Sequence, residues 1–162
     1  MHYYKPSREN KANIVIPVIL ILCALIAIVF SQIKASYFPA LLQLIAVCCA
    51  AAAVQIISRY SLSSFVYEIN EEEKTLEIIR LQSKKRTAVC SVALASVKEI
   101  VKKQKDFSVK DKYGKDIRAL NFCVNMFPQN AYYLIVSSDS GKFALQIEAN
   151  QEFLSLISRE EI

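Results

Sequence analysis

The chain has one histidine, two glycines and no cysteine pair spaced as CxxC. Each scarcity removes a class of chemistry. His2 is the sole imidazole, so a Ser-His or Cys-His nucleophile system cannot be assembled from this chain alone. Gly114 and Gly141 stand apart in turn-like stretches, and no P-loop or dinucleotide-binding glycine pattern can be built from them. Zinc and haem ligand spacings are absent, and no metal, cofactor or catalytic residue is expected. The five cysteines are Cys23, Cys48, Cys49, Cys90 and Cys123. An odd count without paired spacing argues against a disulfide framework and for a reducing compartment. There is no Asn-x-Ser/Thr glycosylation site.

What the chain has in abundance is apolar sequence, 54% of all residues, concentrated before residue 58. "IVIPVILILCALIAIVF", Ile14 to Phe30, is unbroken, and with Asn13 and Ser31 it reaches the length that crosses a bilayer as a helix. Pro17 is read as lying in its first turn, where a missing N–H costs little. A second run, "YFPALLQLIAVCCAAAAVQII", covers Tyr37 to Ile57. The expected spans are about 13–31 and 37–57, a transmembrane hairpin within 13–58. A cleaved signal peptide fits poorly, because the first run exceeds a normal h-region and a second span follows at once.

Basic residues set the expected orientation. Lys5, Arg8 and Lys11 precede the first span, Lys34 alone lies between the spans, and Arg59 with the lysine-rich remainder follows the second. The positive-inside rule places both termini in the cytoplasm, for an integral, multi-pass protein of the cell membrane. Residues 1–12 are read as a cytoplasmic tail. Small residues recur at helical spacing. Cys23 and Ala27 on the first span, with Gln43, Ala46, Ala50 and Ala53 on the second, form the candidate helix-packing face. Packing of the two spans on each other is the plainer use of it; homo-oligomerisation, or docking on a larger membrane protein, is the sharper one. The Cys48-Cys49 pair is mid-span, too deep for lipidation and without metal-ligand neighbours.

From Ser64 the period changes from helical to alternating. "FVYEIN" and "TLEIIRLQS" flank the turn "NEEEKT", and "TAVCSVAL" follows a basic turn. A fourth strand runs through Val97 and Ile100-Val101, and "IRALNFCVNMF", "AYYLIVSSD" and "FALQIEA" make about seven in all. Cys90 and Cys123 fall in these strands, as small buried hydrophobes. "NQEFLSLISREEI" ends the chain as an amphipathic helix, with Asn150 as N-cap and Phe153, Leu156 and Ile157 on one face.

The patterns "YEINEEEKTLEII", "RTAVCSVALASVKEIV" and "GKFALQIEANQEFLSLI" resemble the bacterial PH-like (pleckstrin-homology-like) domains that follow paired membrane spans. The resemblance covers about Ser64 to Arg159. It implies an α+β membrane protein whose cytoplasmic domain, 59–162, is an antiparallel β-sandwich or barrel of about seven strands capped by a C-terminal helix. A generic β-sandwich also fits the strand pattern. Many PH domains grip phosphoinositides with basic residues around the first hairpin loop. Here that loop, with Glu71, Glu72 and Glu73, is acidic, so that function does not carry over. The same carboxylates read as a solvated turn rather than a Ca²⁺ site.

Basic residues cluster instead at Lys84, Lys85 and Arg86, and at Lys102, Lys103 and Lys105, within a longer lysine-rich segment. The net charge is +5. Contact with an anionic membrane surface and a solvated, aggregation-resistant strand edge are the two readings of these clusters. Nucleic acid is disfavoured, because no stacking motif accompanies the charge. The functional expectation is a non-catalytic, membrane-anchored interaction module with an unknown protein partner. An accessory subunit of a larger membrane complex, such as a transporter, is the alternative.

Overall fold

The computed structural model describes residues 2–8, 11–33, 38–83, 85–104, 107–138 and 141–158. The chain divides into two compact units. One contains the two apolar helices and ends at Ser63; the other joins residues 2–8 to the chain from Ser64 onward.

In the helical unit, α1 spans Ala12–Ser31 and α2 spans Pro39–Ile56. Both are long and apolar enough to cross a membrane. The two pack on each other through small residues: Ala24, Ala27 and Ala46 are buried together with half-buried Cys49 against them. Buried positions in α1 recur as Asn13, Pro17, Ala24, Ala27 and Ser31, and in α2 as Ala46 and Ala53. Spacings of three, four and seven keep one seam facing the partner, and small side chains let the backbones approach. The outward side chains are large and apolar, with Ile14 68%, Val29 63% and Val47 65% exposed.

The helix starts two residues earlier than the apolar run, so Pro17 lies beyond the first turn. A proline there cannot donate to the carbonyl of Asn13. That carbonyl instead accepts the Ser61 hydroxyl at 3.5 Å. Ser61 closes a π-helical continuation of α2, Ile57–Ser61, in which the Leu62 N–H reaches the Ile57 carbonyl at 2.9 Å. The beginning of α1 and the end of this continuation are therefore neighbours.

The second unit is built from two four-stranded sheets among the described residues. β1 (His2–Tyr4), β2 (Ser63–Asn70), β3 (Thr75–Gln82) and β4 (Lys85–Ala93) lie side by side in that order. β5 (Val97–Lys102), β7 (Ala131–Ser138), β8 (Gly141–Glu148) and β6 (Arg118–Asn121) form the other sheet in the order given. The β2–β3 turn is tied by the Asn70 carboxamide oxygen, which accepts the N–H groups of Glu72 and Glu73 at 3.1 and 3.4 Å. A register shift between Ile78 and Ile79 leaves Val89 as an extra residue on β4, 41% exposed.

The interior between the sheets contains Phe65, Tyr67, Leu76, Ile78, Leu94, Leu134, Leu145 and Ile147. Helix α4 (Gln151–Ser158) plugs it with Phe153, Leu154 and Ile157, while Leu156 is half-buried. Asn150 caps this helix, its side-chain oxygen accepting the Phe153 N–H at 2.9 Å. A short helix α3 (Val109–Tyr113) belongs to a second small core on β7 and β8, formed by Val109, Ile117, Tyr133, Ile135 and Ala144.

Several expectations change. The described strands number eight, because "HYY" pairs antiparallel with β2 in the register Tyr4↔Tyr67. The expected tail thus joins the β-unit, and Tyr4 stacks on Phe153 with ring centroids 5.2 Å apart. The sandwich is mixed rather than wholly antiparallel, since β6 runs parallel to β8. The stretch 122–130 passes β8 to reach β7, and because β6 and β7 run in opposite directions, β6 is parallel to β8, the antiparallel partner of β7. Cys123 lies beyond β6, where the Asn121 side chain captures its N–H at 2.9 Å and ends the strand. Finally, the turn-like stretch around Gly114, "DKYGKD", begins within α3.

The plug yields a stability test. Phe153 is 3% exposed and touches the rings of Tyr4 and Tyr67. Phe153→Ala should cost about 3–5 kcal/mol, a large share of a typical total of about 5–15. Glu152→Ala, on the exposed side, should cost less than about 0.5. Melting of the full chain in mild detergent, followed by near-ultraviolet circular dichroism, separates the two. Equal midpoints would mean that α4 is not part of the core.

Candidate functional site

Three surfaces and one buried cluster bear on function. The first surface is the helix pair. Of the residues expected to form its packing face, Ala27, Ala46 and Ala53 are buried, whereas Cys23, Gln43 and Ala50 are exposed. Ala46 and Ala53 belong equally to a face with Gln43 and Ala50 or to one with Leu42 and Cys49. Packing selects the second, where Leu42 and Cys49 are half-buried. The amide of Gln43 and the small side chain of Ala50 are left on the outside of the pair.

The second surface comprises the basic clusters. Lys84 and Lys105 lie outside the described residues. Lys85 and Arg86 begin β4, directly across from Gln82 and Leu81. Both are exposed, and Arg86 forms an ion pair with the buried carboxylate of Glu68. Lys102 and Lys103 end β5 in the other sheet, where the Lys103 N–H is spent on the Ala131 carbonyl at 2.9 Å. Strand pairing does not bring the two clusters together. Elsewhere in the lysine-rich segment, Lys112 meets Glu99 at 2.7 Å, and the Tyr113 hydroxyl donates to the same carboxylate. These two donors, Lys112 first, hold Glu99 below the usual carboxylate range.

The third surface is an open groove of about 460 Å³ between β4 and the β6–β8–β7 side of the second sheet. Its walls include Cys90, Val92, Leu120, Val136, Phe143 and Leu145. Among the described residues β4 and β6 are the outermost strands of their sheets, and the groove lies beside both edges. Burial pushes the Cys90 thiol up, away from the thiolate form that a nucleophile requires. The groove wall is mostly apolar, with Ser91, Ser96, Ser137 and Ser138 as its polar members.

The buried cluster was not anticipated. Glu148, 9% exposed, accepts the N–H groups of Val124 and Asn125, both at 3.2 Å, and the Asn125 side-chain amide at 2.6 Å. The same amide donates to the Ser7 carbonyl at 2.9 Å. The Tyr67 hydroxyl donates to the Phe122 carbonyl at 3.0 Å and accepts the Glu148 N–H at 3.2 Å. Several donors around one carboxylate compensate its burial. The cluster fastens the N-terminal arm, the 122–125 stretch and the end of β8 into one piece. In sequence, the only sign is that Gln146 and Glu148 are two polar residues on one face of an otherwise apolar strand. Among the described residues no group of three or more His, Cys, Asp or Glu side chains is placed to hold a metal ion.

Burial lifts the Tyr67 phenol far above its ordinary value of 10.0. Below that value the phenol is neutral in both folded and unfolded chains. Above about pH 10 the unfolded chain releases a proton that the folded chain retains, so stability falls as pH rises. The melting temperature should therefore drop above about pH 10 in the wild type. Tyr67→Phe should start lower, having lost two hydrogen bonds, and fall less steeply. Parallel curves from pH 7 to 11 would show that Tyr67 does not titrate on unfolding.

No curated protein and no solved structure matches the chain. A family model described as a bacterial PH-like domain (DUF6106) matches residues 6–160, taking in both apolar helices, the two sheets except β1, and the closing helix. The match extends the likeness beyond the β-unit to the helical segment, and the chain belongs to this bacterial PH-like family.

Proposed function

We propose that the chain is a non-catalytic PH-like interaction module, anchored in the cell membrane by α1 and α2 with both termini in the cytoplasm, that positions a protein partner at the inner face. The observation that carries the anchoring is the pairing of β1 with β2. The two ends of the helical segment are attached to adjacent strands of one sheet. A chain that crosses a membrane between those strands must cross an even number of times. The meeting of Asn13 and Ser61 within the helical unit supports the same arrangement. Apolar side chains over the outside of the pair support lipid as the surrounding medium, because a helix buried in a soluble core would cover them. Lys5, Arg8, Lys11 and Arg59 at the ends, against Lys34 alone in the connection, favour the cytoplasmic side.

PH-like domains are generally non-catalytic. The groove beside the two strand edges, with its protonated thiol, favours recognition. One observation supports the accessory-subunit reading: Gln43 is exposed on α2, and an amide facing hydrocarbon is costly unless another helix receives it.

Topology is tested with single cysteines in an otherwise cysteine-free full chain. Ser36 and Ser140 lie outside the described residues and flank the predicted boundary from opposite sides. An impermeant maleimide applied to intact cells should label Ser36→Cys and not Ser140→Cys; the reverse result rejects the orientation. The two functional readings separate on cross-linked, detergent-extracted complexes. Loss of a specific partner with Val92→Arg, in the groove, supports the module. Loss with Ala50→Phe, outside the helix seam, supports the subunit.

A further inference from the structure

We infer that one end of the β1–β4 sheet is an anionic-lipid surface, which holds the module against the inner leaflet in a single orientation. The inference rests on the membrane-anchored reading and adds an orientation and a ligand chemistry to it.

The argument starts with strand direction. β2 begins at Ser63, the residue at which the chain leaves the helical unit. β1 runs antiparallel to β2, so its exit, through Tyr4 and Lys5, lies toward that same end of the sheet. Both strands that lead to the helical unit therefore point to one end, although β1 itself covers only Tyr67–Ile69 of β2. β3 returns along β2 and finishes there at Gln82, and β4 starts there at Lys85.

Charge is divided along the same axis. Toward the end with the connections are Lys85 and Arg86 at the start of β4 and half-buried Arg80 near the end of β3, with Lys5 one residue past β1, level with the middle of β2; the Glu68 carboxylate that Arg86 holds lies nearer the other end. The opposite end has the β2–β3 turn with Glu71, Glu72 and Glu73, accompanied by Lys74 and His2, the latter 2.8 Å from Glu71. An anionic leaflet attracts the first end and repels the second. Phospholipid headgroups are thus the partner that this end fits, and their recognition requires charge rather than a pocket.

The test uses the full chain in lipid nanodiscs, either neutral phosphatidylcholine or the same lipid with one-quarter phosphatidylglycerol, and reads backbone hydrogen exchange. In the anionic discs, exchange over 82–87 should slow about threefold, while exchange over 71–74 is unchanged. A Lys5→Glu/Lys85→Glu variant should lose the difference between lipids, and Glu72→Lys should keep it. Arg86 is left in place because Glu68 depends on it. If α1 and α2 are protected in both discs but 82–87 exchanges equally, the lipid surface is wrong and the anchoring stands. Equal slowing at both ends overturns the orientation. Free exchange along α1 and α2 rejects the anchoring, and the inference with it.

Discussion

The constraint on which the rest depends is that the apolar helical segment is inserted between two adjacent strands of one sheet. β1 and β2 are neighbours in space and lie on either side of α1 and α2 in sequence. Closing such a long intervening stretch is entropically costly, and the cost grows with the logarithm of its length. A helical hairpin reduces that cost because its two ends come back together, as the contact between Asn13 and Ser61 illustrates. The alanine-rich seam and the added edge strand are in this sense two parts of one solution. The seam returns the chain to its starting point, and the strand makes use of the return.

The buried polar cluster makes that solution specific. A three-residue strand at a sheet edge has few backbone bonds of its own and would fray unaided. Here the arm continues past the strand to buried Pro6 and to Ser7, whose carbonyl is bonded by Asn125. Asn125 is in turn oriented by Glu148, and Glu148 by the backbone of the 122–125 stretch. Removing any one of these groups would leave another buried without a partner, which is costlier than never having buried it. The aromatic stack of Tyr4, Tyr67 and Phe153 then couples the arm to the closing helix. Arm, sheet and plug therefore act as one cooperative piece.

Recognition surfaces are built from what this core leaves open. One sheet is lengthened by β1, and its other edge, β4, is free of a strand neighbour within the described residues. A bulge at Val89 and a basic start are ordinary guards against edge-to-edge association. The groove beside β4 exists because α4 closes the sandwich elsewhere, leaving Cys90, Val92 and Phe143 with incomplete cover. In the other sheet, β6 is short and exposed, and its parallel pairing with β8 brings Leu120 to the groove wall.

By itself, the sequence determined the features that depend on local periodicity and composition. The two apolar runs, the change to alternation at Ser64, the acidic turn at Asn70 and the capped amphipathic helix at Asn150 are all written in spacings shorter than about ten residues. The order of strands followed by a closing helix was sufficient for the PH-like resemblance. Only the tertiary structure decided what depends on partners distant in the chain. "HYY" is too short to show a period, and becomes a strand because β2 has an edge to fill and Tyr67 a ring to stack on. Ala46 and Ala53 are compatible with two helix faces, and α1 selects between them. The place of β6 beside β8, and its parallel direction, come from pairing with a strand that follows later in the chain. Glu148 looks like an ordinary surface carboxylate until Asn125 and the N-terminal arm enclose it. Pairing, packing and burial are properties of what a residue meets, and a sequence states only what each residue brings.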